Sequence, residues 1–418
     1  MLNKLRGLDN MDKFVFLLGI MSLVRIRIVG TITVAEILLL SMYIFYPSFA
    51  FIRNKNTKLL FAFACLWLLG CVFSNIYNNS TDINFVKGVF FILLFILLIP
   101  PVYNLVNGKP QRILIFLLGY GISQLISPYF ASDVNMANSL SSDVYFYYRC
   151  LAVIYSLGFC LYYIGHQKTG LLLCYFFACY GLFNMARNPF LTGSLAVLVI
   201  LSCRNILIGN SDNMITEYKL KIPKLFLTLF IALISVNFVY KSLVVKGFFG
   251  DDAKKKYIIQ SARGGVLEGG RGETFMGIEL IRRNPIIGYG SYAKDKNHKF
   301  YLWYYNKHGY FYKENSFQKD PYLPSHSHIV GAWVNDGILG GIFWLFVLFT
   351  CWKIFYSGCL LYESNLLCLL FFQLCDLIWR VFFSVFAERV PTLIFLITLF
   401  VIYDKMKTGL YNSEIVER

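Results

Sequence analysis

Runs of about 18 or more mostly apolar residues recur along this chain, each long enough to cross the hydrocarbon core of a bilayer as a helix. That repetition excludes most soluble folds, because a helix apolar all round must be covered by lipid or by other protein. Inside a bilayer every backbone polar group has to be satisfied within the structure, which leaves helices or a closed barrel. Barrel strands would read as alternating segments of about 10 residues, and none stands out. The chain is 57% hydrophobic and only 15% charged, against about 25% charged in a soluble domain. The expected fold class is an all-α polytopic membrane protein.

About 12 transmembrane helices are expected. They lie near 13–28, 31–52, 59–77, 88–106, 113–130, 148–165, 169–186, 189–204, 225–244, 326–352, 357–380 and 391–404. Arg25 and Arg27 separate the first two. The opening MLNKLRGLDNMDK is polar for too long to read as a cleaved signal, so the first apolar run is taken as an anchor. Lys and Arg of the short loops, among them Lys55, Lys58, Lys109, Arg112, Lys219, Lys221 and Lys224, gather on one side. By the positive-inside rule both termini are then cytoplasmic. The organisation expected is transmembrane helices over 1–244, one large outer loop over 245–325, further transmembrane helices over 326–404 and a cytoplasmic tail over 405–418.

Lys and Arg number 39 against 23 Asp and Glu, a formal net charge of +16. These charges sit in short loops between apolar runs, so nucleic acid is not an expected partner; topology signals and an anionic ligand fit better. None of the 11 cysteines falls in the long loop, and no zinc-ligand spacing occurs. Cys/His clusters, HExxH, a P-loop, GxSxG and a Rossmann fingerprint are all missing, so no metal or cofactor is expected. Acidic residues within the apolar runs are few: Glu36, Glu363, Asp376 and Glu388. Asp376 and Arg380 stand four apart and can pair along one helix face.

A multi-pass protein can join two helices with far fewer residues than the 245–325 loop uses. Residues 271–283, RGETFMGIELIRR, have near-helical spacing, with Phe275 and Ile278 expected to bury one face. Asn284-Pro285 should end that helix, with Arg282 and Arg283 at its C-terminus and a tight turn at Gly288-Tyr289-Gly290. Residues 294–320 are expected to be loop.

Five residues are candidates for chemistry. Arg187, in MARNPFL, stands where an apolar run meets the outer face. It is either an interfacial anchor or an anion ligand beside a helix N-terminus that Pro189 would open. Arg271, flanked by glycines in GGRGETF, is either a solvated loop residue or a bidentate phosphate ligand. Arg263, in SARGG, is a weaker candidate of the same kind. His326 and His328, in PSHSH, stand at the junction of loop and apolar run. An imidazole there can bind phosphate as a cation or take a hydroxyl proton as a base.

These motifs together resemble the O-antigen polymerase and O-antigen ligase superfamily, the Wzy and WaaL type of bacterial envelope enzymes. Arg187 to Leu191 fits its Arg-x3-Leu motif. Arg271 followed by Pro285-Ile286-Ile287-Gly288-Tyr289-Gly290 is similar to its Gly-Arg … Pro-Leu-Leu-Gly-x-Gly stretch, with Phe275 where Trp is common. His326-Ser327 through Gly337-Ile338-Leu339-Gly340 fits the His-[Asn/Ser/Gln]-x9-Gly-x-x-Gly motif. The resemblance implies a metal-independent, GT-C-like glycosyltransferase of the bacterial inner membrane, with a partly helical periplasmic loop. It implies a donor glycan on undecaprenyl diphosphate, held by Arg187 and Arg271, with Arg263 and His328 as weaker diphosphate ligands. His326 would be the base toward the acceptor or a third phosphate ligand. The expected activity is polymerisation of lipid-linked repeat units, with a chain-length regulator protein as a further partner. Ligation of the glycan to lipid A–core is the alternative, and a transporter or flippase a more distant one. Tyr301, Trp303, Tyr304, Tyr305, Tyr310, Phe311 and Tyr312 suit stacking on sugar faces or local packing.

Overall fold

The computed structural model describes residues 9–27, 30–130, 142–183, 186–208, 214–261, 271–307, 320–324 and 326–409. The chain is about 80% helical. Helix α1 (Asn10–Met21) starts from a capping box in which Asp9 and Asp12 satisfy each other's backbone N–H groups. A two-stranded antiparallel hairpin follows, β1 (Arg25–Arg27) with β2 (Thr31–Thr33). The sequence reading anticipated no strand there. The alternation RIRIVGTIT carries the two-residue period of a strand, but apolar runs on both sides conceal it. Helix α2 (Val34–Phe45) is only 12 residues long. The run expected to span near 31–52 is therefore strand, short helix and a 3-10 turn at Pro47–Ala50.

Next come α3 (Lys55–Tyr77), α4 (Asp82–Val106), α5 (Arg112–Phe130), α6 (Ser142–Tyr163), α7 (Gln167–Tyr180), α8 (Arg187–Ile208) and α9 (Met214–Val245). Among the described residues, four helical segments are long and apolar enough to cross a membrane: Lys55–Tyr77, Asp82–Val106, His328–Ser357 and Cys359–Phe383. The molecule is thus all-α in its mass, with membrane-compatible helices. Helix α1 packs along α5 where Gly19 and Gly119 bring the two backbones together, each leaving no space for a Cβ.

The loop region contains α10 (Asp251–Ser261), α11 (Gly272–Arg283) and α12 (Lys299–Lys307). Helix α11 forms where the spacing predicts. Its buried face, however, is Thr274, Met276, Gly277 and Leu280, while Phe275 and Ile278 are each 39% exposed. Gly277 sets that orientation, because it lies so close to Val330 that no side chain fits between them. Helix α12 corrects the expectation of loop over 294–320 within its own bounds, while 308–319, with Tyr310, Phe311 and Tyr312, lie outside the described residues. The Asp295 carboxylate accepts from the backbone N–H of Phe300 at 3.0 Å and of Tyr301 at 2.9 Å, satisfying first-turn donors. Phe300, Tyr301 and Tyr304 then bury one side, which is the local-packing role for these aromatics. Arg283 lies 3.6 Å from the centre of the Trp303 ring, so α11 and α12 are clamped through a cation on an aromatic face.

The last elements are α13 (His328–Ser357), a 3-10 segment at Cys359–Leu366, α14 (Leu367–Phe383) and α15 (Arg389–Lys407). Helix α13 packs along α3, and α8 along α14. Helix α13 is broken at Gly337, whose φ of 70° and ψ of −160° belong to glycine alone. The loop 285–290 fills the break. The N–H groups of Tyr289 and Gly290 donate to the carbonyls of Val334 at 2.8 Å and Asn335 at 2.9 Å, and Ile338 N–H donates to the Ile286 carbonyl at 3.0 Å. Gly288 and Gly290, both at positive φ, allow this approach: a Cβ on Gly288 would stand 2.6 Å from the Gly337 nitrogen. Helix α3 closes the third side, with Ser74 Oγ donating to the Asn335 carbonyl at 2.7 Å and Asn75 Oδ1 accepting from Ser291 N–H at 2.9 Å. Gly288-Tyr289-Gly290 is therefore a backbone strap across a helix break rather than an isolated turn.

Candidate functional site

Arg271 immediately precedes α11, and its guanidinium Nη1 donates to the Phe383 carbonyl at 3.1 Å. It stands over the rings of Trp379 at 5.0 Å and Phe383 at 5.4 Å. Phe383 ends α14, so the cation sits at the negative pole of a helix and against aromatic faces. This half-buried seat is not that of a solvated loop side chain. Arg187 opens α8 and lies over the Tyr240 ring at 5.5 Å. The two guanidinium groups are within electrostatic reach. Burial first, and then the Arg187 charge, weaken the hold of Arg271 on its proton, while Tyr148 strengthens it. The Tyr148 hydroxyl is itself fixed by donating to Asn188 Oδ1 at 2.6 Å. Two cations kept this near each other gain from an anion that both can touch.

His326 stands just before α13, with its Nδ1 against the Glu273 carboxylate. Both side chains are exposed, at 60% and 48%. The hydrogen bond that Glu273 accepts from His326 raises the histidine's proton affinity above the ordinary 6.5, against its partial desolvation and the Arg271 charge. Arg271 thus stands within electrostatic range of both Arg187 and His326, residues distant from one another in sequence. His328 is placed differently. It is only 3% exposed, packed with ring centres 4.7 Å from Trp344 and 5.1 Å from Phe386, so it is a buried residue rather than one at the water boundary. Arg263 lies outside the described residues.

Beside the arginines, Arg380 forms the expected ion pair with Asp376 at 2.8 Å and extends it to Glu388 at 3.5 Å. Glu388 also accepts from the Tyr120 hydroxyl at 2.7 Å. This network ties α14 to α5 and to the start of α15.

A cavity of about 530 Å³ has His326 in its wall. Its walls include Glu273, His326, His328 and Asp336, with Tyr292 and Tyr322 among the aromatic residues. Asp336 is a functional candidate the sequence reading passed over. Its signal was a carboxylate inside an apolar helix, beside the glycines of GILGG, and it is 6% exposed. Trp67 Nε1 donates to Asp336 Oδ2 at 2.7 Å. Glu273 was likewise passed over, being an ordinary acidic residue of a helix first turn until the fold sets it against His326. Among the described residues no group of three or more His, Cys, Asp or Glu side chains is placed to hold a metal ion.

Comparison of the chain with protein-family models, with curated proteins and with solved structures finds no match.

Proposed function

We propose that this chain is a polysaccharide polymerase, a glycosyltransferase acting on glycans carried by a lipid diphosphate at the outer face of a bacterial inner membrane. The observation that carries this is Arg271, seated against the end of α14, within electrostatic range of both Arg187 and His326 from two other segments. In this proposal the long apolar helices cross the membrane, both termini are cytoplasmic, and the 245–325 loop is periplasmic. The donor diphosphate lies between Arg187 and Arg271, which stabilise the charge that builds on it as it leaves. The acceptor hydroxyl oxygen attacks the donor's anomeric carbon, and the bond from that carbon to the diphosphate oxygen breaks. The hydroxyl proton passes to neutral His326, and the lipid diphosphate departs with the bonding electron pair. The sugar–diphosphate bond supplies the driving force, and the arginines do the charge neutralisation that a metal does elsewhere.

Transfer to lipid A–core, the ligase alternative, uses the same donor chemistry and differs only in the acceptor. The break in α13 is the feature a transporter would share. Here the groups freed by the break are taken by the 285–290 strap instead of being left to coordinate a passing solute. Purified protein given undecaprenyl-diphosphate repeat units should form a glycan ladder without any core acceptor. Arg187→Ala, Arg271→Ala and His326→Ala should each abolish the ladder while the protein remains folded, and Arg271→Lys should be impaired, since a point charge loses the bidentate geometry. A requirement for lipid A–core would replace the polymerase by the ligase, and full activity of Arg271→Ala would remove the donor site described here.

A further inference from the structure

The cavity beside His326 differs in chemistry from the arginine pair. None of its described lining residues is Lys or Arg, while Glu273 and Asp336 both line it. Glu273 is already paired with His326, and Lys294, near the opposite wall, stands over the Tyr322 ring at 5.8 Å, so Asp336 is the carboxylate an anionic ligand would meet unanswered. Two lining residues hold buried polar atoms that lack a hydrogen-bond partner, Asp336 Oδ1 and His328 Nδ1. Such atoms are costly in a protein interior unless something completes them. Tyr292 and Tyr322 line the same cavity, are 43% and 50% exposed, and meet edge to face with ring centres 6.2 Å apart. Tyr292 is held at a φ of +54°, a backbone state that an aromatic residue seldom adopts. Exposed tyrosine faces and buried, unpartnered polar atoms in one cavity lining suit a ligand that has apolar ring faces and hydroxyl edges. The volume is within the range of small-molecule sites, about 300–1,000 Å³.

We propose that this cavity is the acceptor subsite, and that it takes an uncharged, hydroxyl-bearing sugar ring, packed on Tyr292 and Tyr322 and hydrogen-bonded to Asp336 and His328. The assignment rests on the glycosyltransferase proposed above and adds the substrate class of its second half. Glu273 and His326 then form the border between a neutral-sugar compartment and an anionic one. A negatively charged residue at the acceptor end is disfavoured by Asp336, so acceptor chains ending in a uronic acid are poor substrates.

The test uses the purified full-length protein in detergent, followed by its tryptophan fluorescence, Trp67 being in the cavity wall. The probes are methyl glycosides of glucose, galactose, mannose and N-acetylglucosamine, with methyl glucuronide as the acidic comparison and inorganic pyrophosphate as the anion. At least one neutral glycoside should bind saturably, and Asp336→Asn should weaken it by about tenfold, the loss of one buried charge-assisted hydrogen bond. Ala293→Leu, which fills the cavity from its loop wall without touching Asp336, should weaken it similarly. Pyrophosphate binding, kept by both variants, shows that each remains folded. The subsite falls if no neutral glycoside binds, if binding ignores both variants, or if methyl glucuronide is preferred. If pyrophosphate binding ignores Arg271→Ala while the glycosides behave as described, the donor site falls and the sugar cavity stands.

Discussion

Glu273 sets the proton state of His326, and through it the pH range over which the site can act. Its hydrogen bond raises the histidine above 6.5, so the charged pair is complete below that pH and is lost as pH rises through the elevated value. A general base must be neutral, so transfer should speed up as pH rises through that value. Glu273→Gln removes the carboxylate and should move the rise to lower pH. A phosphate-binding imidazolium requires the opposite profile, with activity falling as pH rises. Histidine-edited NMR of Glu273→Gln separates the pair from the chemistry: the His326 titration should move down. An unmoved His326 titration would mean that the pair does not control its proton.

At the scale of elements, the strap over the break in α13 joins two glycine-bearing segments into one device. A side chain on Gly337 would collide with the Ile286 carbonyl, and its backbone angles cost a non-glycine residue on the order of 1–3 kcal/mol. Gly337→Ala should therefore lower the thermal midpoint by several degrees and open the loop around 285–290 to protease. Gly108→Ala, a helix-end glycine with nothing within 4 Å of a new Cβ, should do neither. Equal behaviour of the two variants would contradict the strap. Several of these elements were legible in the sequence. Apolar length gave the long helices, and the period of RGETFMGIELIRR gave α11. The buried face of α11 was not, because Gly277 decides it through contact with Val330, a residue far along the chain. Helix α12 was hidden by an aromatic composition with no clear period, and its start depends on Asp295, a cap recognisable only once the helix is known. Arg187, Arg271 and His326 could be picked out by residue type and setting. Asp336 needed the cavity, since nothing in one sequence distinguishes a buried carboxylate that faces a space from one that is paired.

At the scale of the whole molecule, Arg389 reaches back to the first part of the chain. Its Nε and Nη2 donate to the two carboxylate oxygens of Glu36 at 2.5 and 3.0 Å, and Nη2 also donates to the Thr31 carbonyl at 2.8 Å. The side chains are 5% and 2% exposed. Glu36 simultaneously closes the capping box at the start of α2 by accepting from Thr33 N–H at 2.7 Å. Removing one member leaves a buried charge unanswered, so Glu36→Ala should destabilise the fold by roughly 3–5 kcal/mol, read as a lowered unfolding midpoint in detergent. Replacing both residues together should cost less than the sum of the two single changes. Strict additivity would show that the pair is not coupled. The two partners are separated by 353 positions. A ribosome making this chain therefore delivers the carboxylate long before the guanidinium that will neutralise it. Until translation reaches α15, Glu36 has to remain hydrated. The early helices cannot close around it, which makes α15 the helix that completes their packing. Chains stalled before Arg389 would present an unsealed first helix pair to quality-control proteases.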